Sequence, residues 1–178
     1  MQPNTAIPPL SDTFVQQVKD AGFTHVVSVP DGYLAPLIHR LKAGCDLPHI
    51  HAAREEEAIG IASGIVLAGG TPLVMMQNVG WLNSIGCFAT LCLNYRTPFV
   101  LLLAHRGNIY DANTYDIPKI RYMDGIMAQL NLRTVSYHQF RNEPNLLALT
   151  LRLAKTAGEP ALLLLDMPPD HGVTKAAC

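Results

Sequence analysis

The residues with the most evident chemical capacity are three consecutive carboxylates, Glu55, Glu56 and Glu57, in the run H-I-H-A-A-R-E-E-E-A-I-G-I-A-S-G-I-V-L-A-G-G from His49 to Gly70. The stretch after them is uncharged and spaced as a helix. Successive helical residues turn by about 100°, so the three side chains point to three sides of one cylinder and at most one faces a core. Three, four, seven and eleven residues after Glu55 stand Ala58, Ile59, Ala62 and Val66, a small apolar stripe, whereas the lines through Glu56 and Glu57 run into Gly60, Ser63 and Gly64. Glu55 is therefore expected to face inward, and a carboxyl turned inward must find a partner. The plainer alternative is that all three are first-turn charges that complement the helix dipole. The residues by themselves leave both readings open.

The elements that must position such groups alternate along the chain. A helix capped by Ser11 is expected through Phe14, Val15 and Val18 to near Gly22, a strand over Thr24–Val29, and a turn at Pro30-Asp31-Gly32. A helix over Tyr33–Ala43, a short strand over Leu47–Ala52 and the glutamate helix from Arg54 to Leu67 come next. Pro72–Gln77 reads as a buried strand, Asn78–Asn83 as a loop with Asn83 near the start of a helix running to about Tyr95, and Pro98–Ala104 as the clearest buried strand. After a polar loop, His105–Ile117, the pattern predicts a helix over Lys119–Leu130, a strand over Arg133–Ser136, a helix over Glu143–Ala157 and a strand over Pro160–Leu165.

Six strands alternating with helices, the central ones apolar on both faces, imply a doubly wound α/β fold: a mostly parallel six-stranded sheet with helices on both faces. Ligands of such sheets sit beyond the carboxyl ends of the strands. This rule selects Pro30–Gly32, Ala53–Glu55, Gln77–Asn83 and His105–Asp116 as the lip of a site.

Composition narrows the partners. A chain of 178 residues that is 49% hydrophobic and 15% charged can bury one sizeable core, so one domain spanning 1–178 is expected. A net charge of −1 without a Lys/Arg block leaves no footprint for nucleic acid or an anionic membrane. Cys45, Cys87, Cys92 and Cys178 show no C-x-x-C pair and no metal-ligand spacing, which fits reduced thiols in a cytoplasm. The N-terminal residues read as an unprocessed start, and no apolar run reaches the roughly 20 residues of a spanning helix. Neither G-x-G-x-x-G, nor G-x-x-x-x-G-K-[ST], nor G-x-S-x-G occurs, which removes the usual dinucleotide, P-loop and hydrolase readings.

Four motifs in order carry a family resemblance: V-S-V-P-D-G-Y-L-A-P-L-I, R-E-E-E-A-I-G-I-A-S-G-I-V-L-A-G-G, M-M-Q-N-V-G-W-L-N-S and P-F-V-L-L-L-A-H-R-G. Together they resemble the pyrimidine-binding domain of thiamine diphosphate-dependent 2-oxoacid decarboxylases, in particular the sulfopyruvate and phosphonopyruvate decarboxylase family. The resemblance covers nearly the whole chain.

It implies that the glutamate nine residues before Gly64, which is Glu55, hydrogen-bonds the aminopyrimidine of the cofactor and relays its proton. Such a role needs a desolvated carboxyl able to hold a proton near neutral pH. Gly80 and Asn83 are implied to border the cofactor. Asp31, Arg54, Gln77, Asn78, His105 and Arg106, with Arg106-Gly107 matching an arginine-glycine pair of the family, are implied to face an anionic 2-oxoacid such as 3-sulfopyruvate or 3-phosphonopyruvate. Leu82 stands where the family often has glycine, so that wall is expected to be bulkier. The family holds the diphosphate and its magnesium by G-D-G and a later asparagine. This chain has only Met123-Asp124-Gly125, so no metal ligands are assigned to it, and a diphosphate-binding beta subunit is expected to carry them, with self-association as well. A helix-start cluster on a non-enzymatic flavodoxin-like binding module is the competing reading.

Overall fold

A computed structural model describes residues 10–108, 114–140 and 142–166. Cys178, the N-terminal start and part of the polar loop, 109–113, lie outside them. Six strands form one sheet in the order β2-β1-β3-β4-β6-β5. They are β1 His25–Ser28, β2 His49–His51, β3 Pro72–Gln77, β4 Val100–Ala104, β5 Arg133–Ser136 and β6 Ala161–Leu165. Every neighbouring pair is parallel, so the sheet is fully parallel.

The hydrophobic pattern explains the order. All five residues of β4, and Pro72–Met76 of β3, are buried, as a strand covered on both faces requires. The short edge strands β2 and β5 are only partly covered. Alternation divides the core into two layers: Val26 and Leu73 face one side, Val27 and Val74 the other. The first layer takes α1 Leu10–Asp20, α2 Ala35–Gly44 and α7 Leu146–Ala157, and the second takes α3 Glu55–Leu67 and α6 Ile117–Gln129. The chain reverses direction across the sheet between β1 and β3, and again where β6 is inserted between β4 and β5. Both places open a crevice at the carboxyl ends of strands.

Several boundaries differ from the sequence expectation. Ser11 lies within α1 instead of capping it. Helix α2 begins at Ala35 because Asp31 Oδ1 accepts hydrogen bonds from the backbone N–H groups of Tyr33 and Leu34, both at 2.9 Å, and holds that stretch as a turn. The largest correction concerns Asn78–Asn83, which is a helix, α4, and not a loop. It follows β3 without a break and leads into α5 Ile85–Phe88 and a π-helical turn, Ala89–Asn94. Trp81 and Phe88, both fully buried, meet edge to face with centroids 5.7 Å apart, and this packing outweighs the loop-like composition of N-V-G-W-L-N. Asn83 consequently ends a helix and does not start one. At the far end of α7, Gly158 closes the helix at φ +72, a left-handed cap that favours glycine.

Candidate active site

The three glutamates separate by role as soon as the helix forms. Arg54, extended at φ −139, ψ 155, precedes α3 as its cap position. Glu57 reaches back so that its Oε2 accepts the Ala53 N–H at 2.8 Å, which closes the helix start. Glu56 pairs with Arg54 at 3.3 Å; its own backbone N–H, followed by Arg54, holds its carboxyl below the usual carboxylate range. Glu55 does neither. Half-buried, it lies against α4 at Gly80, where a Cβ would collide with its Oε1, Cδ and Cγ atoms. Among the described residues its carboxyl has no hydrogen-bond or ion-pair partner. The stripe behind it is buried at Ala58, Ile59 and Ala62 as expected, but the covered face is rotated towards Ser63, which bonds Thr97 Oγ1 at 3.2 Å, and Val66 is only half-buried.

The strand ends to the side of Glu55 form a compensated ionic chain. Arg106, with a nearly covered side chain, lies 3.8 Å from Asp31 Oδ2 and 3.3 Å from Asp116 Oδ2, and its guanidinium sits 5.2 Å above the Tyr33 ring. Lys119 closes the chain at 2.8 Å from Asp116 Oδ1. Two carboxylates and two cations balance in this chain, so Arg106 would meet an anionic ligand as a cation already paired with Asp31 and Asp116. Asp31 combines the turn-capping role with the ion pair. Asn78, fully buried, ties α4 to this chain by donating from Nδ2 to the Arg106 carbonyl at 3.0 Å, while its Oδ1 and the Trp81 Nε1 are buried without hydrogen-bond partners.

At the second crevice His105 follows β4 and is 9% exposed. Its Nδ1 is 2.6 Å from Asp166 Oδ1, and Ser136 Oγ donates to Asp166 Oδ2 at 3.1 Å. Burial pushes the Asp166 carboxyl up, but the His105 hydrogen bond and charge, with Ser136 and His138, outweigh it and leave the acid stronger than usual. His105 Nε2 has no hydrogen-bond partner and stands 3.9 Å from Asp124. The strand-end rule would have found Asp166, the first residue after the last buried strand, had it been applied to that strand.

The remaining expected residues are placed less centrally. Arg54 is 76% exposed and engaged with Glu56, Asn83 is exposed at the end of α4, and Gln77 is half-buried at its start. The structure thus brings Glu55 and Gly80 into contact, links Asp31, Asn78 and Arg106, and leaves Arg54 and Asn83 on the surface. Met123-Asp124-Gly125 lies within α6, with Met123 buried. Among the described residues no three His, Cys, Asp or Glu side chains gather as a metal site, and no helix is long and apolar enough to cross a membrane.

Glu55 thus presents a carboxyl at a helix start, resting on bare backbone, that is available to a ligand able to donate a hydrogen bond or share a proton. Comparison with known proteins supplies the class. The fold matches the benzoylformate decarboxylase of Polynucleobacter necessarius with a TM-score of 0.64 at 17% identity, over 92% of this chain and 30% of that one. The sulfopyruvate decarboxylase subunit alpha of Methanococcus maripaludis is 33% identical over 61% of this chain, and the match spans 65% of that relative's own length. The phosphonopyruvate decarboxylase of Streptomyces viridochromogenes is 34% identical over 48% of this chain, which is 22% of that longer protein. The family described as thiamine pyrophosphate enzyme, N-terminal TPP binding domain, matches residues 9–117, and the chain belongs to it.

Proposed function

We propose that this chain supplies the aminopyrimidine side of a thiamine diphosphate-dependent 2-oxoacid decarboxylase, with 3-sulfopyruvate as substrate and sulfoacetaldehyde and carbon dioxide as products. The single observation that carries the reading is the division among the glutamates: two are engaged at the helix start and Glu55 alone presents a free carboxyl over Gly80. Bound thiamine diphosphate would supply the electron acceptor that lets carbon dioxide leave. Glu55 would hold the proton shared with the ring nitrogen, and the Gly80 backbone would keep that carboxyl in place. Asp31, Asn78 and Arg106 would shape the neighbouring wall, since their charges are balanced internally.

The diphosphate and magnesium are assigned to a separate beta subunit, because Met123-Asp124-Gly125 lies within a helix and because a relative named as an alpha subunit is matched over 65% of its own length. Gly60, Gly64 and Gly86 leave open space on the outer surface of α3 and α5, which suits close approach of that subunit or of a second copy. The test is a side-by-side assay of 3-sulfopyruvate, 3-phosphonopyruvate and pyruvate with the chain alone and with a G-D-G-bearing subunit, thiamine diphosphate and magnesium. Turnover only in the reconstituted mixture, best with 3-sulfopyruvate, is expected. Preference for phosphonopyruvate would move the assignment to the second family member, which the Streptomyces relative favours. Turnover of no 2-oxoacid would favour a binding module.

A further inference from the structure

Resting on that reading, the geometry points to Asp166 as a positioning residue that fixes a proton of His105 on Nδ1, so that Nε2 is the nitrogen left to exchange a proton with the ligand. The contact is short and partly buried: 2.6 Å between Nδ1 and Asp166 Oδ1, with side-chain exposures of 11% for His105 and 26% for Asp166. An ionised carboxylate only accepts hydrogen bonds, so the nitrogen facing it must be the N–H. Asp166 is itself held. Ser136 donates to its second oxygen at 3.1 Å, and its backbone carbonyl accepts from Tyr33 Oη at 3.0 Å and from Asn108 Nδ2 at 2.7 Å. Three segments, the turn after β1, the end of β4 and β5, therefore converge on the residue that ends β6, with His105 and Ser136 on its carboxylate and Tyr33 and Asn108 on its backbone carbonyl.

The carboxylate, held by Ser136, touches only one side of the imidazole and leaves the other side without a partner. Nε2 is a buried polar atom without a hydrogen bond. Asp124 Oδ1 of α6 stands 3.9 Å away, beyond hydrogen-bond distance, and a carboxylate offers Nε2 no proton. His138 acts on Asp166 by its charge, and Arg106, the residue after His105, is paired with Asp31 and Asp116. The pair stands at the carboxyl ends of β4 and β6, at the second reversal of strand order, where a parallel sheet receives ligands. A carboxylate, an imidazole and a nitrogen without a hydrogen-bond partner in series form the arrangement by which acid groups orient histidine bases in unrelated enzymes.

The test uses two independent measurements. Nitrogen-15 NMR of the ring in the isolated chain should show the Nδ1–H tautomer, and Asp166→Asn, whose amide can donate to Nδ1, should shift it towards Nε2–H. In the reconstituted enzyme, Asp166→Asn should lower kcat by about 10²- to 10⁴-fold with little change in KM. Asp166→Glu should recover part of that loss, Ser136→Ala should lower kcat by only about tenfold, and His105→Gln combined with Asp166→Asn should be no slower than His105→Gln alone. Denaturant midpoints would identify any variant that fails to fold, in which case Ser136→Ala decides. A wild-type ring carrying its proton on Nε2, an unchanged kcat in Asp166→Asn, or losses that add in the double variant would overturn the assignment. If the reconstituted wild type turns over no 2-oxoacid, the decarboxylase reading and the base role both fall, while the NMR result still decides whether Asp166 sets the tautomer.

Discussion

The carboxyl of Glu55 occupies the space in which residue 80 would otherwise carry its side chain. Gly80 therefore sets the position of Glu55, and this contact lies where the helix Asn78–Asn83 packs on the helix Glu55–Leu67 at the mouth of the candidate site. A methyl group at position 80 has to displace the carboxyl. Gly80→Ala is expected to reduce turnover of the reconstituted enzyme by roughly 10²-fold, since a misplacement of about 1 Å at a reacting group has costs of that size. The far end of a glutamate side chain can swing aside, so the fold should survive, and a thermal melt of the chain should shift by only a few degrees. Near-normal turnover in Gly80→Ala would show that the Glu55 position seen here has no part in catalysis.

The same division of labour makes the three glutamates distinguishable by experiment. Glu55→Gln is expected to lower the decarboxylation rate by about 10²- to 10⁴-fold without loss of stability, because the carboxyl takes part in no hydrogen bond that holds the fold. Glu57→Ala should do the reverse, with activity retained and roughly 1 kcal/mol of stability lost through the helix-start bond to Ala53. Glu56→Gln, which removes only an exposed pair with Arg54, should be close to neutral in both assays. Paired measurements of kcat and denaturant midpoint on the three variants check the assignment.

These residues also show how far the sequence is informative. Helical periodicity favours Glu55 as the inward-facing carboxyl, because which side of a cylinder a residue faces follows from spacing, though the covered face proves to be rotated towards Ser63, and the buried run V-L-L-L-A reads as a central strand. The helix at Asn78–Asn83 is hard to read there: Asn, Gly and Asn are weak helix formers, and the only local sign is the seven-residue spacing of Trp81 and Phe88, whose burial against each other stabilises the turn. The neutralisation of Arg106 is hidden for a related reason. Its two carboxylates come from residues 75 positions before it and 10 after it, so only the sheet order brings them together.

Arg106 is expected to matter more for stability than for substrate affinity. Its removal leaves Asp31 and Asp116, both nearly buried, without their shared cation, and breaking a buried pair from one side typically costs about 3–5 kcal/mol. Arg106→Gln should therefore lower the denaturant midpoint strongly. Arg106→Lys should restore only part of it, because an ammonium group cannot reach two carboxylates and lie across Tyr33 at once. An unchanged midpoint with a large rise in KM for the anionic substrate, and none for pyruvate, would return Arg106 to the role of anion receptor.

The paired rings of His49 and His51 should give the protein an acid-sensitive step of its own. Their centroids are 4.4 Å apart, and Ser28 Oγ lies 2.8 Å from His49 Nε2 and 3.1 Å from His51 Nδ1. Burial, then the neighbouring His51 and Lys42, push the His49 imidazole down to about 4. Its folded pKa is thus below the ordinary value of about 6.5, so between these two values the unfolded chain binds the proton that the folded chain refuses. Stability should therefore be constant above about pH 7 and fall as the pH drops from 6.5 towards 4, by about 1 kcal/mol once partial exposure of the ring is allowed for. His49→Gln keeps a hydrogen-bonding group beside Ser28 and cannot titrate. Denaturant midpoints of the two proteins should differ by a fixed amount above pH 7, and the difference should move in the variant's favour between pH 6.5 and 4. The acid Asp166 also has a lowered pKa, but its contribution is lost only as the pH falls below the ordinary carboxylate value of 3.8, so the two effects occupy separate windows. A difference between wild type and His49→Gln that stays constant from pH 7 to pH 4 would show that His49 is protonated in the folded chain as readily as in the unfolded one.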